Sequence, residues 1–255
     1  GTYVRIYNIK ISIKKNDESW NTNNIKVALY QNSTEVYSYN QGEVSQGDGT
    51  ITWYDVAPGT YDIYSSKNSN DLFKNSQWAL NSIQLPNAWD ITTGSSTIRV
   101  GIIDSGIDIS HPDLTNRVNQ ELSKDFSGNN NPFGNGYYHG THVAGIVGAV
   151  GNNSIGIVGA NWNVELISLN VGNETPTSLA VAEAITYAHL KEIDILNLSL
   201  NVVEIDAVND AINLYDGLIV CAAGNTCDTE VGYPANLNNP KIISVGALDM
   251  YDDKE

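Results

Sequence analysis

Three polar side chains stand where apolar runs of the sequence end. Asp104 closes the stretch IRVGIID, His139 follows a loop rich in Gly and Asn, and Asn225 ends the run IVCAAGN. A carboxylate at the end of a core strand costs free energy unless a partner offsets its charge. A histidine suits this role, because the acid fixes its tautomer and stabilises the imidazolium. Since an Asn amide can donate a hydrogen bond to an oxyanion, the three residues predict acid–base chemistry with oxyanion stabilisation.

The elements around these residues alternate between strand and helix. Continuously apolar strands separated by helices are typical of a parallel sheet covered on both faces, with its chemistry at the carboxyl ends of the strands. We therefore predict an α/β fold with a doubly wound, mostly parallel sheet. Thr175 is the predicted N-cap of the second helix, with Pro176 at the first helical position. The predicted strands are IRVGIID, VELISLNV, DILNLSL, LIVCAA and KIISVGA, and the predicted helices cover residues 139–150, 177–191 and 205–215.

The first 68 residues follow a different pattern. NIKISIK alternates apolar and polar residues with period two, and short Tyr- and Val-rich segments follow, separated by turns such as QGDGT and APGT. This pattern predicts a small antiparallel β-sandwich of about five strands. It resembles the prealbumin-like modules of bacterial surface proteins, in which a strand ending in GTYDIY recurs. We place a β-sandwich module at residues 1–68 and the α/β domain at residues 69–255.

Composition limits the partners of the chain. Thirteen Lys and Arg against 29 Asp and Glu give a formal charge of −16, so nucleic acid and anionic membranes are not expected partners. No apolar run is long enough to span a bilayer. Cys221 and Cys227 are the two cysteines, which excludes a disulfide framework. Cys221 is most simply a small buried residue, and a bridge to Cys227 would require the loop between them to fold back.

Five sequence blocks resemble one family. IIDSGID, HPDL, HGTHVAG, NNSIGIVG and AAGN occur in the order found in the subtilisin-like serine peptidases, or subtilases, and the similarity runs from residue 77 to residue 255. The resemblance implies that Asp104 is the acid of a catalytic triad, His139 the general base and Asn225 the side-chain donor of the oxyanion hole. It also implies a secreted or cell-surface peptidase that acts on proteins or peptides.

The family's nucleophile is missing from the sequence. In subtilases it lies in a Gly-Thr-Ser block that opens a helix several dozen residues beyond the oxyanion Asn, and no Gly-Thr-Ser occurs in these 255 residues. We expect the serine beyond Glu255, so that the chain is the N-terminal part of a serine endopeptidase and is inactive by itself. One alternative is a catalytically dead binding or structural surface module. Another is a metal-dependent hydrolase using His139, His142 and Asp104, although a packing role for His142 is the simpler interpretation.

The resemblance also implies a structural calcium site. GNNSIGI matches the family's calcium loop, in which backbone carbonyls and an Asn side chain join an Asp of the HPDL block. Such an all-oxygen shell suits a hard cation. Asp71, in the polar connector, is a further candidate ligand, although its spacing differs by one residue from that of the family. The implied loop ligands are Asp113, the Asn153 side chain and the carbonyls of Gly151, Ile155 and Ile157.

The sequence departs from the family's pattern at two places, before His139 and at the end of the predicted strand DILNLSL. Tyr138 precedes the histidine, where the family usually has Gly. The strand end SLGG, whose glycines line the substrate cleft of the family, reads SLNV at residues 199–202. We expect the side chains of Asn201 and Val202 to narrow the cleft.

Overall fold

The computed structural model of this chain describes residues 69–134, 138–173, 175–225 and 230–249, and before them the backbone of six strands. Contacts divide the chain into two compact units. The first comprises Gly1–Asn70 and Ile83–Thr92, and the second comprises Asp71–Ser82 and Thr93–Glu255. The predicted domain boundary between residues 68 and 69 remains a prediction.

The described strands of the first unit form two antiparallel sheets of three strands each, in the orders β1-β5-β4 and β3-β2-β6. Consecutive residues of β1 pair with residues of β5, as in Ile9 with Trp53, Lys10 with Thr52 and Ile11 with Ile51. The predicted face-to-face packing as a sandwich remains a prediction. Two short helices follow, α1 (Ala79–Ser82) in the second unit and α2 (Leu85–Trp89) in the first. The strands are β1 (Tyr7–Ser12), β2 (Ile25–Gln31), β3 (Thr34–Ser38), β4 (Glu43–Val44), β5 (Thr50–Val56) and β6 (Asp62–Lys67).

The second unit is built on a six-stranded sheet in the order β12-β11-β10-β7-β9-β8. All of its strand pairs are parallel, which confirms the predicted mostly parallel sheet. The strand order reverses at β7, and such a switch point opens a crevice at the carboxyl ends of the strands. The strands are β7 (Arg99–Asp104), β8 (Lys124–Asp125), β9 (Glu165–Asn170), β10 (Ile195–Leu198), β11 (Leu218–Ala222) and β12 (Ile242–Val245).

Three longer helices accompany the described part of this sheet: α3 (His139–Gly148), α4 (Ser178–Leu190) and α5 (Asp206–Leu214). The predicted start of α4 is wrong. Its N-cap is Thr177, whose hydroxyl accepts the Ala180 N–H at 3.2 Å, and Pro176 lies before the helix. Thr177 has the extended backbone of a cap residue, so its hydroxyl reaches the N–H three residues on. Among the described helices, none is both long and apolar enough to cross a membrane.

The central strands β7 and β9 are buried on both faces, whereas the edge strand β12 is largely exposed. Successive side chains of a strand point to opposite faces, and Ile102 and Ile103 of β7 accordingly join two different hydrophobic clusters. Small residues let α3 lie close to the sheet, since Gly140, Ala144, Gly145 and Gly148 are all buried. The hydrophobic clusters on the two faces of β7 and the close packing of α3 hold the end of β7 and the start of α3 in position.

Candidate active site

Asp104 and His139 meet at the carboxyl end of β7. His139 Nδ1 lies 2.8 Å from Oδ1 and 2.9 Å from Oδ2 of Asp104. Because an ionised carboxylate only accepts hydrogen bonds, Nδ1 donates, which leaves Nε2 to accept a proton. The Asp104 side chain is 4% exposed, whereas that of His139 is 63% exposed. A buried acid therefore orients an exposed imidazole.

Ser105 connects this pair to the backbone of α3. Its N–H donates to Asp104 Oδ1 at 2.7 Å, and its hydroxyl lies 3.2 Å from the same oxygen. The hydroxyl also accepts the N–H of Gly140 at 3.1 Å. Ser105 thus ties the end of β7 to the first turn of the helix that carries His139. Sequence analysis missed this residue, although a hydroxyl directly after the acid was visible in the Asp-Ser-Gly stretch.

Gly140 allows the helix to approach the acid. A Cβ at this position would lie 2.3 Å from the Gly106 carbonyl oxygen and 3.0 Å from Asp104 Oδ1. Real side chains do not come so close to a backbone oxygen, so the first turn of α3 reaches Asp104 only with a glycine here. The His-Gly pair that opens α3 is therefore a geometric requirement of the Asp104–His139 contact.

A cavity of about 510 Å³ opens beside His139. The end of β7, the start of α3, the loop after β9 and the segment after β10 all contribute to it. Two departures from the family's pattern are in its wall, Tyr138 and Asn201. Val202 is not, because its side chain packs against the hydrophobic core, so the expectation that it narrows the cleft is wrong. The lining residues are Asp104, Ser105, Tyr138, His139, Gly172, Asn173, Pro176, Ser199, Leu200 and Asn201.

Asn225, the predicted oxyanion donor, follows β11 at the same edge of the sheet. It is exposed and does not line the 510 Å³ cavity. The structure brings Asp104 and His139 together and leaves the role of Asn225 a prediction. Within β11, Cys221 is a buried free thiol, and burial raises its pKa to about 12. The possible bridge to Cys227 lies outside the described residues.

Two buried carboxylates hold the predicted calcium loop. Asp113 is 2% exposed and accepts the Ile157 N–H and an Asn153 side-chain N–H, each at 2.9 Å. Asp71 is 6% exposed and accepts the N–H groups of Asn152 at 2.7 Å and Asn153 at 3.0 Å. Asp71 and Asp113 therefore both hydrogen-bond to the loop of residues 151–157, which also carries the third predicted ligand side chain, Asn153.

The donor set fits a hard cation, because carboxylate and amide oxygens are what Ca²⁺ prefers. The orientation of the Asn153 amide differs from the one that a cation ligand would need. Asn153 directs its NH₂ group at Asp113, while its Oδ1 accepts the Ile155 N–H at 2.8 Å. To share a cation with Asp113, the Asn153 amide would have to turn its oxygen toward that carboxylate.

The described residues contain no group of three or more His, Cys, Asp and Glu side chains that could hold a metal ion. The three residues of the metal-hydrolase alternative are therefore not arranged as a metal site. His142 is exposed on α3, so the predicted packing role of its side chain is wrong. Within the described site, Asp104 and His139 are the titratable side chains that contact each other directly.

Known proteins are similar to this chain in sequence and in fold. The model of the subtilase family (Peptidase_S8) matches residues 95–254. Thermitase of Thermoactinomyces vulgaris is 37% identical over 192 residues, which are 73% of this chain and 67% of thermitase. The thermophilic serine proteinase of Bacillus sp. strain AK1 is 38% identical over 173 residues, 65% of this chain and 42% of that protein.

A solved structure of a Pseudoalteromonas arctica PAMC 21717 protease is also similar. It aligns with a TM-score of 0.62 at 26% identity, over 71% of this chain and 66% of that one. The chain thus spans about two thirds of thermitase and of this protease, and less than half of the Bacillus proteinase. Because the family match covers more than half of the sequence, the predicted resemblance is confirmed and the chain belongs to the subtilase family.

Proposed function

We propose that this chain is part of a serine endopeptidase, with His139 as general base and Asp104 as the acid that orients it. The observation that carries the proposal is the contact of His139 Nδ1 with both oxygens of a buried Asp104, beside a cavity of about 510 Å³. An imidazole held in this way has a fixed tautomer and a stabilised protonated form. Family membership and the names of the serine peptidase relatives support the same reaction class.

The reaction divides into two steps. A serine hydroxyl attacks the scissile carbonyl while its proton passes to Nε2 of His139, and the imidazolium then protonates the leaving amine. Water deacylates the enzyme with His139 again as base. Asp104 stays ionised throughout and stabilises the imidazolium. In this proposal the Asn225 amide and a backbone N–H bind the oxyanion.

We infer that the serine belongs to a segment following Glu255 in the complete polypeptide, because the 255 residues contain no Gly-Thr-Ser. Residues 1–255 alone are then inactive. The proposed substrates are proteins or peptides, and the proposed location is outside the cell or on its surface. The strands of residues 1–68 would form a separate β-sandwich module of that protein.

We also propose a structural calcium ion at the loop of residues 151–157. The side chains of Asp71, Asp113 and Asn153 would hold it, together with the carbonyls of Gly151, Ile155 and Ile157. Two buried carboxylates at one loop support this, since a cation would offset their charge. The ion would stabilise the loop and take no part in the chemical steps.

The test of the peptidase proposal is Asp104→Asn in the protein expressed from its complete reading frame. We expect kcat on a peptide p-nitroanilide to fall by on the order of 10⁴-fold, because an Asn favours the wrong His139 tautomer. Asp108→Asn is the matched control. Asp108 is exposed, and among the described residues its carboxylate accepts hydrogen bonds from Ser110 two positions on, so this variant should keep full activity.

Labelling with a fluorophosphonate separates the alternatives. A peptidase of the proposed type is labelled, and labelling abolishes hydrolysis. A folded protein that is neither labelled nor active would contradict the proposal and favour the binding or structural module. Activity that resists the fluorophosphonate but is abolished by 1,10-phenanthroline would instead favour the metal-dependent hydrolase.

A further inference from the structure

Two buried polar side chains interrupt one apolar face of β9. Ser168 is 0% exposed and Asn170 is 4% exposed, and both lie on the same face of the strand as Leu166. In the register of the sheet, Ser168 pairs with Ile102 of β7 and Asn170 pairs with Asp104. Asn170 is therefore the strand neighbour of the acid of the candidate site. Polar groups buried in this way need hydrogen-bond partners.

Both side chains donate to the backbone of one stretch of the loop before α3, residues 131–134, which we call the 131–134 segment. The Ser168 hydroxyl donates to the Pro132 carbonyl at 2.5 Å. The Asn170 amide donates to the Asn131 carbonyl at 2.8 Å. Two side chains of a central strand thus hold this segment to the sheet.

The 131–134 segment lies directly against the backbone that follows Asp104. A Cβ on Gly106 would lie 2.5 Å from the Gly134 nitrogen, and a Cβ on Gly134 would lie 2.9 Å from the Ser105 carbonyl oxygen. Both glycines have positive φ angles, 93° and 72°, which residues with a side chain rarely adopt. The two backbones therefore touch, with no side chain between them.

The position of this backbone matters because Ser105 organises the acid. Its N–H and its hydroxyl both lie on Asp104 Oδ1, and its hydroxyl accepts the Gly140 N–H at the start of α3. Movement of Ser105 would disturb these hydrogen bonds and admit water to a carboxylate that is 4% exposed. Since water weakens charge-assisted hydrogen bonds, the contact with His139 would weaken as well.

We propose that Ser168 and Asn170 are positioning residues of the catalytic pair. They hold the 131–134 segment on the backbone after Asp104, and this segment keeps the acid buried and hydrogen-bonded to His139. Neither side chain belongs to the described lining of the 510 Å³ cavity, so both act through the segment. The kinetic consequence rests on the proposed peptidase function, whereas the effect on the His139 tautomer does not.

The first measurement reads the His139 tautomer without any catalysis. In the protein from its complete reading frame, labelled with ¹⁵N-histidine, the neutral His139 imidazole should carry its proton on Nδ1. Ser168→Ala and Asn170→Ala should each add a population protonated on Nε2, because a displaced or hydrated acid no longer fixes the tautomer. NMR correlation spectra distinguish the two tautomers, and His139→Gln assigns the signal.

Ser123→Ala is the matched control. The Ser123 hydroxyl donates to the Asn119 carbonyl at 2.6 Å and accepts the Ser168 N–H at 3.0 Å. Its described hydrogen bonds thus involve the same strand but not the 131–134 segment. We expect Ser123→Ala to lower the unfolding midpoint in urea about as much as Ser168→Ala, while leaving the His139 tautomer unchanged.

The second measurement is kinetic and uses the same protein with a peptide p-nitroanilide. We expect kcat to fall by about 10–100-fold in Ser168→Ala and in Asn170→Ala, because small displacements of catalytic groups have effects of this order. KM should stay nearly unchanged, since the described lining of the cavity is intact in both variants. Ser123→Ala should keep both constants.

An unchanged tautomer in a folded variant overturns the assignment of that residue, because its side chain then only stabilises the loop. Full kcat in an active variant whose tautomer has changed also overturns it, as does an equal change of tautomer in Ser123→Ala. If Asn170→Ala does not fold, Ser168→Ala, which removes a single oxygen atom, decides the inference. If the unsubstituted protein cleaves no peptide, the peptidase proposal fails, and the tautomer alone decides.

Discussion

At the scale of single residues, burial has opposite consequences for different ionisable groups. Asp104 and Asp113 are almost fully buried, and each accepts hydrogen bonds from a side chain and a backbone N–H, which is how a buried charge is tolerated. Cys221 lies in the apolar core instead, and burial raises its pKa to about 12. Its thiol therefore stays protonated at neutral pH, and only thiolates react readily.

This predicts slow alkylation of Cys221. In a Cys227→Ser variant, where Cys221 is the remaining cysteine, iodoacetamide at pH 8 should react on the order of 10³-fold more slowly with the native protein than with the protein in guanidinium chloride. The native rate should rise with pH toward 12, because the thiolate fraction rises up to the pKa. Mass spectrometry of the alkylated fraction measures both rates. Similar rates in native and unfolded protein would contradict the burial of this thiol.

At the scale of elements, the site depends on how closely α3 approaches the end of β7. The contact is made by backbone as much as by side chains, through the Gly140 N–H on Ser105 and the close passage of Gly140 over Gly106. Because Gly140 has no side chain, the first turn of α3 lies directly against the end of β7. His139, the residue before it, is therefore placed beside Asp104. The distance between these two elements therefore sets the Asp104–His139 geometry.

Gly140→Ala should separate them. The added methyl meets the Gly106 carbonyl oxygen, so we expect a loss of about 1–3 kcal/mol in the free energy of unfolding and a loss of activity in the complete protein. Gly246→Ala is the matched control, because a Cβ there meets nothing within 4 Å, and it should change stability by less than about 0.5 kcal/mol. Urea denaturation measures both variants. Equal stability of the two would show that α3 does not approach β7 so closely.

At the scale of the whole molecule, charge is the dominant feature. A formal charge of −16 makes the chain repel itself, and two carboxylates are nevertheless buried at a single loop. Binding a divalent cation at this loop would offset part of the repulsion in the folded state only. Such a ligand stabilises the protein by about 2.7 kcal/mol when its concentration is 100 times its Kd.

We therefore expect millimolar CaCl₂ to raise the Tm of the chain over that in EDTA, by several degrees in a scanning calorimeter. NaCl at equal ionic strength should give a smaller rise, since it only screens charge. Asp113→Asn should remove the calcium-specific part, while Asp108→Asn, at an exposed carboxylate, should keep it. A rise that is the same in CaCl₂ and NaCl would contradict a bound ion.

Much of the fold and the central pair of the site follow from local features of the sequence. Apolar strands such as IRVGIID and the small residues of HGTHVAG predicted β7 and α3 within one or two residues, because periodicity and side-chain size act along the chain. The ordered blocks around Asp104 and His139 identified the family for the same reason. Strand β8 was missed, since two residues form no recognisable pattern and become a strand only by pairing with β9.

The sequence by itself thus determined the parallel α/β fold, the family and the acid–histidine pair, because these depend on residue types in chain order. Tertiary structure alone decided the rest. Ser105 bridges to Gly140, Val202 turns into the core, and the Asn201 amide packs on Gly232, 31 residues away along the chain. Each of these contacts depends on the distance between backbones that are remote in sequence, and no local pattern encodes that distance.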